Sequence, residues 1–197
     1  MQSSPQAAEE IEWVRRVQKG DRAAFGRLVE RYERRVRSLV FHLVRRRDEV
    51  EDITQDIFIK AFRGIRGYSF QASFSTWLTR VAANHCYDYL RHESKARVSY
   101  FWQMSEESSR ALEQGVESPQ EGGEAIEEQV SARDLVCKLM ARAPAQDRII
   151  LALKELEDYS VEEIAGILNL KVNTVKVRLH RARRRMLGDL KRWRQGR

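Results

Sequence analysis

Residues 171–188 hold Lys176, Arg178, His180, Arg181, Arg183, Arg184 and Arg185 with no acidic residue among them. Val175, Leu179, Ala182 and Met186 recur in the same stretch at three-and-four spacing, so one helix would bury those four and leave the cations in water. Such cations donate to guanine O6 and N7 or to phosphate oxygens, and a valine such as Val177 can touch a thymine methyl. The bland alternative is a solvated basic helix on an ordinary bundle. A second constellation, Asp52, Gln55 and Asp56, lies on one helical face opposite Ile53 and Ile57. It offers short acceptors to a basic partner surface. Neither set is catalytic. Paired carboxylates or Ser/His and Cys/His arrangements in a catalytic context are missing, as are phosphate-cradling glycine loops. Cys86 and Cys137 have no metal-like spacing and sit in apolar helical patterns, and His85 and His92 read as surface groups rather than ligands. The sequence points to binding rather than to an enzyme, with neither cofactor nor metal implied.

The elements that would position these residues are helical. The 197 residues include only three prolines and ten glycines, and long segments are rich in Ala, Leu, Glu and Arg, which predicts an all-α protein. Ile11, Trp13, Val14 and Val17 mark a short first helix. Gly20-Asp21 is a stop-and-cap signal before Ala24, Phe25, Leu28, Val29, Tyr32, Val36, Leu39, Val40 and Leu43. A helix from about Glu49 would bury Ile53, Ile57, Phe58, Ala61, Phe62 and Ile65 before Gly64 and Gly67 end it. A polar loop then leads into a helix over residues 74–92, where Trp77 among Phe74, Leu78 and Val81 reads as core. Towards the C-terminus, Val130, Leu135, Val136, Leu139 and Met140 form one helix up to Pro144. Ile149, Ile150, Leu153 and Leu156 form another. Ser160-Val-Glu-Glu163 is a capping box for a short helix over residues 161–168 that buries Ile164, Ala165 and Leu168. Asn169 tolerates left-handed backbone at the turn, and the basic helix starts near Asn173 or Thr174, both competent caps. A capped short helix, a tight turn and a basic second helix suit a reader of the DNA major groove.

Charge divides the chain. Lys and Arg number 36 against 29 Asp and Glu, a net charge of +7 with an isoelectric point near 9.6, which favours a polyanionic partner. Residues 1–95 and 131–197 are both basic, whereas residues 96–130 are acidic and collect Ser, Gly, Gln and Pro119. The expected organisation is two helical domains, 1–95 and 131–197, joined by a flexible acidic linker. No apolar run is long enough to cross a bilayer, and the N-terminus lacks the pattern of a secretory signal. A reduced, cytoplasmic setting fits the two cysteines.

Several segments together resemble the extracytoplasmic-function (ECF) group of RNA polymerase sigma factors in the sigma-70 family. Val17-Gln-Lys-Gly-Asp21 with Ala24-Phe25 and Tyr32 is similar to the family's opening helices. Asp52-Ile-Thr-Gln-Asp56-Ile-Phe-Ile-Lys60-Ala-Phe62 resembles region 2.2. Phe74-Ser-Thr-Trp77-Leu-Thr-Arg80-Val-Ala-Ala-Asn84 through Asp88-Tyr-Leu-Arg91 resembles regions 2.3–2.4. Pro144, Arg148, Tyr159-Ser-Val-Glu-Glu-Ile-Ala165 and Val172-Asn-Thr174-Val-Lys-Val-Arg178-Leu-His-Arg181 resemble region 4.

The resemblance implies a role for each segment. Asp52, Gln55 and Asp56 would dock on the clamp helices of the polymerase β′ subunit, with a further contact to the β subunit. Lys60, Gly64, Tyr68, Ser69, Phe70, Gln71, Phe74, Arg80, Asn84 and Arg91 would serve the −10 element, where a flipped base is captured. Among these, Asn84 offers a donor and an acceptor to a base edge, and Arg80 and Arg91 suit phosphates. Thr174, Lys176, Val177, Arg178, His180, Arg181 and Arg184 would serve the −35 element. Tyr68-Ser69-Phe70 stands where the family commonly has Phe-Arg-Gly, and Asn173 and Val177 where it usually has Gly and Ser, so the family's base preferences do not carry over. The implied partners are core RNA polymerase, promoter DNA and an anti-sigma factor, with no membrane insertion and a place on the nucleoid when in holoenzyme. A stand-alone helix-turn-helix regulator would need a dimerisation surface or ligand pocket, and a protein-only adaptor would leave the basic C-terminal region unexplained.

Overall fold

The computed structural model describes residues 5–44, 46–113 and 132–195. Helix α1 (Pro5–Gln18) stops at Gly20, whose φ of 102° is a conformation glycine adopts at little cost. Asp21 then caps α2 (Arg22–Leu43), accepting from the Ala24 amide at 3.2 Å. Its carboxylate is held below the usual range, first by the hydrogen bond from Arg16 and then by the capping amide. A 3-10 turn (Arg47–Glu49) precedes α3 (Val50–Gly64), and another (Ile65–Gly67) follows it. The apolar positions predicted for these helices put Leu28, Val40, Leu43, Ile57, Ile65 and Leu78 in one core, which Ala82 joins. Phe62 departs from the expectation and is 37% exposed. It sits on the outer edge of α3, packed edge-on against Phe25 at 5.0 Å, while its neighbour Phe58 turns inward.

Helix α4 runs from Phe74 to Glu113, well past His92. Nothing between Glu93 and Glu113 breaks a helix: glycine and proline are absent, and the first glycine is Gly115. The first part of the expected linker, residues 96–113, therefore continues α4. Its remainder, with Val130, lies outside the described residues.

The second lobe is built from α5 (Ala132–Ala141), α6 (Ala145–Glu155), α7 (Val161–Leu168) and α8 (Val172–Gln195). Ile149, Ile150, Leu153, Ile164, Ile167, Val175 and Leu179 form its centre. Leu156, expected inside, is 41% exposed because α6 has ended one residue earlier. The capping box forms as the sequence predicts: Ser160 Oγ accepts from the Glu163 amide and Glu163 accepts from the Ser160 amide. Asn169 has φ 52° and ψ 48°, closing α7 in the left-handed conformation. The start of α8 is earlier than expected. The Val175 amide already donates to Lys171 O, so Asn173 and Thr174 lie inside the first turn and neither is the cap.

The two lobes meet along α2 and α4. Arg35 Nε donates to Glu157 at 2.5 Å, and its Nη1 donates to Ser75 Oγ at 2.6 Å. Arg148, 6% exposed, donates to Leu43 O at 2.8 Å. Leu43 is the last residue of α2, so its carbonyl has no intrahelical donor, and the arginine satisfies it while meeting the negative end of the helix dipole.

Candidate nucleic-acid interface

The basic face of α8 carries a shallow depression bordered by Asn173, Thr174, Val177, Arg178, Arg181 and Arg185, with Asp147 of α6 on its other side. Lys176, His180, Arg181 and Arg184 are exposed, whereas Thr174 and Arg178 are half-buried. Val177 is an apolar group left 41% exposed among these cations. Arg178 Nη1 lies 2.9 Å from Asp147 Oδ1, and Arg185 Nη1 lies 3.5 Å from Asp147 Oδ2. Arg183 is turned away to Glu155, at 2.6 Å. Sequence reasoning had no signal for Asp147. An aspartate in the first turn of a helix reads as a charge complement to the dipole, and only the packing of α6 on α8 brings it to Arg178.

The first lobe presents Lys60, Gly64, Ser69, Phe70, Gln71, Asn84 and Arg91 at its surface. Tyr68 and Phe74 are instead buried, at 7% and 3% exposure. Tyr68 Oη donates to Ala72 O at 2.6 Å, and its ring packs against Phe70, Phe74 and Trp77. These two residues shape the 68–75 loop from beneath. Trp77, read as core, is half-buried beside them. Gln18 of α1 secures the start of the loop, donating to both Ile65 O and Tyr68 O. At the tip, Phe70 is 38% exposed with φ 61°, a strained conformation for a non-glycine residue that is held beneath the Arg15 guanidinium. Arg80 does not point free: its Nη2 donates to Gly166 O of α7 at 2.6 Å.

Asp52, Gln55 and Asp56 are exposed on α3, while Ile53 and Ile57 face inward. Asp52 and Asp56 border a groove between α3 and α4 that also holds Lys60, His85, Asp88 and Arg91. The surface is therefore acidic with basic groups interleaved, more mixed than the three residues alone imply. Burial, and secondarily Lys60, pushes the His85 imidazole below its ordinary pKa, with Asp56 and Asp88 acting in the opposite direction. Among the described residues no cluster of His, Cys, Asp and Glu is arranged to hold a metal ion.

The family description "Sigma-70 region 2" matches residues 28–96, and "Sigma-70, region 4" matches residues 136–186. The ECF RNA polymerase sigma-E factor of Escherichia coli (strain K12) is 37% identical over 174 residues, 86% of this chain and 88% of that protein. The chain belongs to the ECF family of RNA polymerase sigma factors. A second ECF sigma factor, SigW of Bacillus subtilis (strain 168), is 31% identical over 182 residues, 90% of this chain and 96% of that protein. The fold matches that of CnrH in complex with the cytosolic domain of CnrY, with a TM-score of 0.64 and 21% identity over 93% of this chain and 97% of that one. It also matches the sigma factor RpoE in complex with the anti-sigma factor NepR from Bartonella quintana, with a TM-score of 0.55 and 21% identity over 85% and 96% of the two chains. As an ECF sigma factor the protein is a transcription-initiation factor and not an enzyme, and no described helix is long and apolar enough to cross a membrane.

Proposed function

We propose that this sigma factor docks on the β′ clamp helices of core RNA polymerase through Asp52, Gln55 and Asp56. Its 68–75 loop, with Lys60, Gly64, Arg80, Asn84 and Arg91, then opens the −10 element, while α8 reads the −35 element. The observation that carries the reading is the helix-turn-helix itself: a capped α7, a left-handed Asn169 and an α8 whose outward side is basic and partly apolar. Exposed Asn84 and the exposed, strained Phe70 support base capture by the first lobe, because a flipped base needs both polar edge contacts and an aromatic to stack on. The working units are residues 1–95 and 131–197 with an acidic linker, 96–130, between them. An anti-sigma factor controls the protein in the cytoplasm, a reading supported by the anti-sigma complex of the similarly folded RpoE. In holoenzyme the protein is on the nucleoid.

The test is transcription in vitro with core polymerase and a genomic promoter library, paired with co-purification on core. Asp52→Lys with Asp56→Lys is expected to weaken co-purification while the helical signal of the free protein is unchanged. Wild-type core binding by the folded double variant removes the docking assignment.

A further inference from the structure

Asp147 lies in the first turn of α6, outside the helix-turn-helix, yet its carboxylate sits at the foot of the α8 reading face. Its side chain is 8% exposed, with one oxygen facing Arg178 and the other facing Arg185. A carboxylate withdrawn from water is costly unless cations and hydrogen bonds compensate, so burial itself favours keeping both guanidinia on the anion. Arg178 and Arg185 are two helical turns apart, which makes this one anion a brace along α8.

We infer that Asp147 is a positioning residue that sets −35 selectivity by fixing the Arg178 guanidinium; the inference rests on the proposal that α8 reads the −35 element. An arginine on a free stem samples many rotamers and meets several base edges and phosphates in turn. Bound to Asp147, Arg178 approaches the groove in one orientation, already ordered before DNA arrives. The same carboxylate subtracts a negative charge from the positive face and so weakens attraction to phosphate in any sequence. Removing it therefore has two effects of opposite sign: selectivity falls and non-specific binding rises. A residue that merely supports the fold would, on removal, weaken both.

The test uses full-length variants in holoenzyme and selection from a −35 duplex library at two salt concentrations. Arg178→Ala first identifies the promoter position that this arginine reads. Asp147→Ala is expected to reduce discrimination at that same position roughly 5- to 10-fold. Binding to unrelated duplex should strengthen, with the log–log salt slope steeper by up to ~1. Asp147→Asn, which keeps an acceptor but not the charge, is expected to fall between in discrimination and to match Asp147→Ala in salt slope, and it carries the test if thermal unfolding shows Asp147→Ala misfolded. In discrimination at that position the double variant should match Arg178→Ala alone, while its binding to unrelated duplex stays stronger than that of Arg178→Ala. If Arg178→Ala changes the preference but neither Asp147 variant does, or if specific and non-specific binding fall together, the inference is overturned while the reading of α8 stands. If Arg178→Ala changes no preference, Arg178 reads no base and the inference fails; the reading of α8 fails with it only if Arg181→Ala leaves every −35 preference intact as well.

Discussion

Tyr159 Oη lies 3.0 Å from Thr79 Oγ1, a buried hydrogen bond that ties the approach to the helix-turn-helix to α4 of the other lobe. Arg35 Nη2 donates to the same tyrosine oxygen at 3.3 Å, and the Arg35 guanidinium lies 5.6 Å from the centre of its ring. The donors of Arg35 are thus divided among Glu157, Ser75 and Tyr159, so one first-lobe side chain gathers two groups of the second lobe.

Tyr159→Phe is expected to destabilise the free protein by about 1–2 kcal/mol, because the buried Thr79 hydroxyl loses its cross-lobe partner. Thr79→Val in that background removes the stranded hydroxyl as well and should recover part of the loss. Denaturant unfolding of the two single variants and the double variant checks this. Strictly additive losses would mean that the two hydroxyls are not coupled.

The sequence was most legible where structure is local. Ser160, Glu163 and Asn169 bound α7 at the predicted residues because capping and left-handed termination involve neighbours along the chain. The end of α4 was illegible because residues 93–113 contain no breaker, and an acidic, serine-rich composition does not by itself stop a helix. The partners of the candidate site residues were hidden for another reason. Arg178 meets Asp147 31 residues away, Arg80 meets Gly166 86 away, and Arg35 meets Glu157 122 away. Each residue type was visible in the sequence, but only the packing of lobe on lobe or helix on helix supplies the pairing.

Acidification should destabilise the first lobe through His85. Its folded pKa lies below the ordinary 6.5, first through burial and then through Lys60. Above that value the imidazole is neutral in both states and the full stability is present. As pH falls from about 6.5 towards the folded value, the unfolded chain binds more protons and stability is lost. His85→Gln should flatten this part of the stability–pH curve, measured by chemical denaturation between pH 5 and 8. An unchanged slope in the variant would assign the acid sensitivity to another group.

Cys86 should be inert in the native protein. It is fully buried, and burial pushes its thiol up to about 12, leaving almost no thiolate at neutral pH. In a Cys137→Ser chain, alkylation by iodoacetamide at pH 8 is expected to be negligible in buffer and complete in denaturant, as followed by mass spectrometry. Rapid native labelling would show that α4 opens around Cys86.

Promoter opening should separate Asn84 from Arg80, although both lie on α4, one turn apart. Asn84 and Arg80 are both exposed in this arrangement of the lobes, but Arg80 also donates to Gly166 O of α7. An amide at position 84 can pair with the edge of one unstacked base, a contact that exists only after the duplex opens. Asn84→Ala should therefore leave closed-complex affinity in holoenzyme unchanged and lower permanganate reactivity of the −10 thymines. The Arg80 guanidinium suits phosphate, which is present in closed and open DNA alike. Arg80→Ala should weaken both complexes and shallow their salt dependence by up to ~1, while also removing a contact that holds the free lobes together. Footprinting and permanganate probing of the two variants on one promoter separate these patterns. Equal reactivity of Asn84→Ala and wild type would place base capture elsewhere on the lobe, with the exposed Phe70 at the loop tip the next position to change.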